Sequence, residues 1–121
     1  MNFHDIENEL YKVAENAGVI ACALVAIDTG MIYLATSKNP DFEIIAEGAR
    51  DYWTLHFKNG EIFSDMGMVS NIFIQHTNGL LSIQPCGKNT ILITQATLGK
   101  IDWTTWGKVI KPLRNLINEH Q

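Results

Sequence analysis

The ten residues GVIACALVAI, Gly18 to Ile27, are apolar on both alternations. Neighbouring residues of a strand point to opposite faces, so a strand of this content must be covered on both sides. The run is too short to cross a bilayer as a helix, which takes roughly 20 residues. Asp28-Thr29-Gly30 follows as a tight turn in which Gly30 can adopt positive φ, and Met31 to Thr36 reads as the return strand. A hairpin whose first strand is buried on both sides asks for a sheet with helices on one or both faces. The expected class is α+β.

The flanking segments supply those helices. Phe3, Ile6, Leu10, Val13, Ala14 and Ala17 recur at spacings of three and four, predicting a helix over about Asn2 to Asn16, ended by Asn16 or Gly18. Lys58 to Gly67 reads as a loop. Three strands then follow: Met68 to His76, Leu80 to Cys86 and Thr90 to Thr97. Asn78-Gly79 is the expected two-residue turn between the first two, and Gly87-Lys88-Asn89 turns into the third. Pro85 suits a strand end or an edge. Trp106, Val109, Ile110, Leu113, Leu116 and Ile117 predict a last helix over Asp102 to Glu119, with Asp102 as N-cap. Pro112 inside it should kink or split the helix near Lys108 to Lys111. The predicted order is α-β-β-α-β-β-β-α, one domain over residues 1–121, with short hairpin links that make the sheet antiparallel.

Composition narrows the function. The 121 residues carry a net charge of -4, and Lys and Arg are scattered rather than clustered. Nucleic acid and anionic membrane are therefore not expected as main partners. The opening MNFHDIENEL is acidic and amphipathic, unlike a signal peptide. Two cysteines, Cys22 and Cys86, are too few for a secreted disulfide scaffold, so reduced thiols and a cytoplasmic location are expected. No phosphate-binding G-x-x-x-x-G-K-[ST], no G-x-G-x-x-G and no G-x-S-x-G occurs. His4, His56, His76 and His120 have no metal-ligand spacing, so neither metal nor cofactor is expected. A nucleophilic Cys86 served by His76 is the one enzymatic reading, and no electropositive setting supports a thiolate there.

The stretch FEIIAEGARDYWTLHF, Phe42 to Phe57, carries most of the functional information. Asn39 is a suitable N-cap and Pro40 suits the first helical position. On a helical wheel Glu43, Glu47, Arg50, Asp51, Thr54 and Lys58 occupy an arc of roughly 100°, leaving roughly 220° without charge. That is about twice what docking on one sheet needs. One flank holds Phe42, Ala46, Ala49, Trp53 and Phe57. The other holds Ile44, Gly48, Tyr52 and Leu55, with Ile45 and His56 between. The wheel leaves open which flank faces the sheet. The other is expected to meet a second molecule, since exposed apolar surface of that size marks an interaction site. In a twofold dimer the helix meets its own mate, and the strand after it pairs at the sheet edge. The expected interface is Phe42, Ile45, Ala46, Ala49, Tyr52, Trp53 and His56, with Met68, Ser70, Ile72 and Ile74 from the strand.

The element order, with GVIACALVAIDTGMIYLATS, IFIQHTNGLLSIQPCG and TILITQATLGKIDW, resembles the Roadblock (dynein light chain) domain family in its bacterial branch. The resemblance covers essentially the whole chain. It implies a profilin-like fold of three helices around a five-stranded antiparallel sheet. It also implies a non-enzymatic homodimer, built on the second helix and third strand, that regulates or scaffolds small Ras-like GTPases in signalling, polarity or motility. The aromatic DYWTLHF end of the second helix and Pro112 depart from the family pattern. The rival reading is a small-molecule sensor of the PAS or GAF kind, with an apolar pocket lined by Tyr52, Trp53 and Phe73.

Overall fold

The computed structural model describes residues 3–120. Helix α1 spans Phe3–Ala14, and the expected start at Asn2 lies outside the described residues. Strands β1 (Val19–Ala26) and β2 (Ile32–Ala35) form the first hairpin, followed by α2 (Pro40–Lys58) and a 3₁₀ segment, Gly60–Met66. Strands β3 (Ile72–His76), β4 (Gly79–Pro85) and β5 (Thr90–Ala96) lead to α3 (Trp106–His120). The sheet is antiparallel throughout, in the order β2-β1-β5-β4-β3.

Three layers follow from the two alternations of β1. Cys22 and Leu24 face α1 and α3, packing with Leu10, Val13, Leu92, Trp106, Ile110 and Leu113. Ala21, Ala23 and Val25 face α2, packing with Phe42, Trp53, Ile83, Ile91 and Ile93. The first strand is therefore covered on both faces, as its composition requires, with α2 alone on one side of the sheet.

The turns follow from local chemistry. Asn39 caps α2, its side-chain oxygen accepting from the Asp41 N–H at 3.0 Å, with Pro40 at the first turn. Gly18, at φ +92°, lies where a Cβ would sit 2.5 Å from the Cβ of Lys100. Both the backbone angle and the close approach of the β5–α3 loop require glycine there.

Five expectations need correction. His76 pairs with Gly79, so the β3–β4 turn is Thr77-Asn78 and not Asn78-Gly79. Neither turn residue has positive φ, so this is not the type that selects Asn-Gly. Strand β3 begins at Ile72, not Met68. Continuing its register would set Ser70 opposite Pro85, where β4 ends and no N–H is available. The segment read as loop contains the 3₁₀ turns of Gly60–Met66. Helix α3 starts four residues after Asp102, whose carboxylate instead accepts from the Thr104 N–H and hydroxyl. It runs unbroken through Pro112. Pro112 and Lys108 both lie on the exposed side, where water can serve the carbonyl that loses its partner.

Candidate protein-interaction surface

Helix α2 buries Phe42, Ala46, Ala49 and Trp53. These fall within about 60° of the wheel and meet the α2-facing alternation of the sheet. Alanines at 21 and 23 leave room for the large rings of Phe42 and Trp53. These four residues were expected at the interface with a partner. They belong instead to the protein's own core, because the sheet has no other cover on that side. Phe57 shares their flank yet stays exposed, its ring tilted against Trp53 at 5.1 Å between ring centroids and edge-to-face with His56 at 6.1 Å.

Arg50 fixes the helix to the far end of the sheet. Its Nε donates to the Ile27 carbonyl at 3.0 Å and its Nη2 to the Asp28 carbonyl at 2.8 Å. Although Arg50 falls on the charged arc of the wheel, its guanidinium is held by the β1–β2 turn. The other arginine, Arg114, donates to the Pro85 carbonyl at 2.8 Å. Both guanidiniums are thus held by backbone carbonyls.

The second flank of α2 remains open. Ile44 is 65% exposed, Tyr52 53% and Leu55 58%, and nothing lies within 4 Å of where a Cβ on Gly48 would stand. Ile45 and His56, half-buried, border it. The 3₁₀ segment continues the apolar surface with Ile62, Phe63 and Met66, and Met68 follows at 93% exposure. His56 joins the two parts, its ring stacked on Phe63 at 4.9 Å and 14°. Ile44 and Leu55 were visible on the wheel. Ile62, Phe63 and Met66 were missed because a short 3₁₀ run has no helical stripe long enough to register.

Strand β3 is an edge strand. Ile72 and Ile74 are half-buried on its α2-facing side, packed against the α2 layer. Arg50 ties one side of α2 to the β1–β2 turn, so the apolar flank, on the opposite side of the wheel, lies toward the β3 edge. Met68 and Ser70, expected within the strand, precede it and are exposed.

The rival chemistries are not assembled. Cys86 is buried, its thiol pushed up to about 12 by desolvation. His76 is exposed at the opposite end of β4. Tyr52 and Trp53 belong to the α2 layer, whereas Phe73 packs on Trp103 beyond the other face, at 5.1 Å. The three are thus not gathered around one pocket among the described residues. Among the described residues no group of His, Cys, Asp and Glu is placed to hold a metal, and no helix is long and apolar enough to cross a membrane.

No protein-family model matches the sequence, and no curated protein matches it significantly. Solved structures do match over nearly the whole chain. A Roadblock/LC7 domain from Streptomyces avermitilis superposes with a TM-score of 0.79 at 20% identity, covering 99% of this chain and 98% of that one. MglB with a tetrameric arrangement gives 0.77 at 14% identity, covering 98% and 92%. The gliding protein MglB from Thermus thermophilus gives 0.76 at 15% identity, covering 98% and 92%. The fold is the Roadblock fold, five antiparallel strands with the element order α-β-β-α-β-β-β-α.

Proposed function

We propose that this protein is a homodimeric regulator or scaffold of the Roadblock type, whose partner is a small Ras-like GTPase. The observation that carries the reading is the open apolar flank of α2 beside the unpaired edge of β3. A twofold axis near Gly48 sets α2 antiparallel to its mate, Tyr52 and Leu55 of each copy meeting Ile44 and Ile45 of the other. The bare backbone at Gly48 permits close approach of the helices. The same axis pairs β3 with β3 and continues the sheet across the dimer, removing an exposed edge. The revised interface is Ile44, Ile45, Gly48, Tyr52, Leu55 and His56 on α2, with Ile72 and Ile74 beneath. Phe42, Ala46, Ala49 and Trp53 support it from the core.

The likeness to MglB, including one structure with a tetrameric arrangement, supports self-association. The GTPase rests on the family resemblance. Both arginines are engaged with carbonyls. The protein would therefore act on a GTPase by positioning the partner's own groups, not by inserting an arginine. Affinity capture with the wild-type protein, compared with a Leu55→Asp variant, tests the partner. Recovery of a small GTPase by the wild type supports the reading. Its absence from the captured proteins, with the bait dimeric, counts against it.

A further inference from the structure

The geometry points to a second contact in the dimer: Met66 and Met68 of each copy fill a cleft on the other. This inference rests on the twofold arrangement proposed above. The cleft has a volume of about 450 Å³ and is lined by Ile20, Ile45, Leu80, Leu81 and the Thr77-Asn78 turn, among others. It lies where α2 begins and β3 ends. The exposed methionines lie at the other end of the same elements, after α2 stops and before β3 starts.

A twofold axis that sets α2 and β3 antiparallel to their mates brings those two ends together. Each 3₁₀ segment then arrives over the mate's cleft, and both contacts form at once.

Area supports the assignment. A half-exposed side chain of this size offers on the order of 100 Å². Ile44, Tyr52, Leu55 and the half-buried Ile45 therefore supply roughly half of the ~800 Å² per partner that a stable dimer buries. Ile62, Met66 and Met68, the most exposed apolar side chains after α2, supply a comparable area. Methionine suits the task, since its flexible thioether fills irregular apolar gaps.

Disulfide trapping tests the inference. Met68→Cys and Thr77→Cys are made singly and together, and oxidised at micromolar protein. Both positions are exposed, and the native Cys22 and Cys86 are buried. Within one chain the two sites flank β3 at its two ends, and the strand between them spans ~13 Å, well beyond the reach of a disulfide. The expected result is a covalent dimer from the double variant and none from either single variant. A double variant that light scattering shows to be dimeric but that gives no covalent dimer overturns the methionine contact and leaves the α2 interface standing. A strictly monomeric double variant whose wild type is also monomeric overturns both.

Discussion

The indole N–H of Trp106 donates to the side-chain oxygen of Gln84 at 2.6 Å, joining α3 to β4 inside the core. The amide nitrogen of Gln84 donates in turn to the side-chain oxygen of Asn71, just before β3. A single buried amide thus ties the last helix to the entry of the edge strand. Gln84→Leu keeps the bulk and removes both bonds, leaving the Trp106 N–H unsatisfied. The expected loss is about 1–3 kcal/mol. Urea unfolding should show a lower midpoint with an unchanged slope. An unchanged midpoint would mean that the network contributes nothing net.

Ser82 makes the opposite case. Its hydroxyl is buried on β4 without a hydrogen-bond partner. Ser82→Ala removes an unsatisfied polar group at little cost in volume, so it should stabilise the fold by about 1 kcal/mol. Thermal melting checks this, and a lower melting temperature would show that the hydroxyl is satisfied after all.

The two thiols give stability a pH dependence. Burial pushes Cys22 up to about 11 and Cys86 to about 12, from an ordinary value of 9.0. The folded state therefore holds protons that the unfolded state releases above about pH 9. Stability from this source is complete below that pH and falls as pH rises toward 11–12. Denaturation midpoints at pH 8, 9 and 10 should decline over the last step, and Cys86→Ala should flatten the decline. Both thiols should resist alkylation at pH 8 until the protein is unfolded.

The layers of this fold were legible in the sequence because β1 is apolar on both alternations and α2 has a charged arc that fixes its outside. What periodicity could not show was which flank of α2 meets the sheet. Phe42 and Trp53 are as apolar as Ile44 and Leu55, and what separates them is tertiary: the two rings pack with the small Ala21 and Ala23 of β1, distant in sequence. The role of Arg50 was equally invisible to the wheel, which shows only that it lies on the charged arc. Its partners, the carbonyls of Ile27 and Asp28, lie more than twenty positions away and are backbone groups. The late starts of β3 and α3 reflect Pro85 and the Asp102–Thr104 bonds, local events that override apolar patterning. The surface from Ile62 to Met66 stayed hidden because exposed apolar residues in a short irregular segment look, in sequence, like any loop.

The two flanks of α2 separate core from interface, and one pair of variants distinguishes them. Trp53→Asp places a charge in the core and should abolish folding, seen as loss of the cooperative melt. Leu55→Asp changes only the open flank and should leave the circular dichroism spectrum and its melt intact in the monomer. Light scattering at micromolar concentration is the decisive measurement. The wild type should give twice the 13.6 kDa of one chain, and Leu55→Asp should give one chain's mass while still folded. A folded wild type that remains at 13.6 kDa across that concentration range would contradict the dimer, and with it the function assigned to α2.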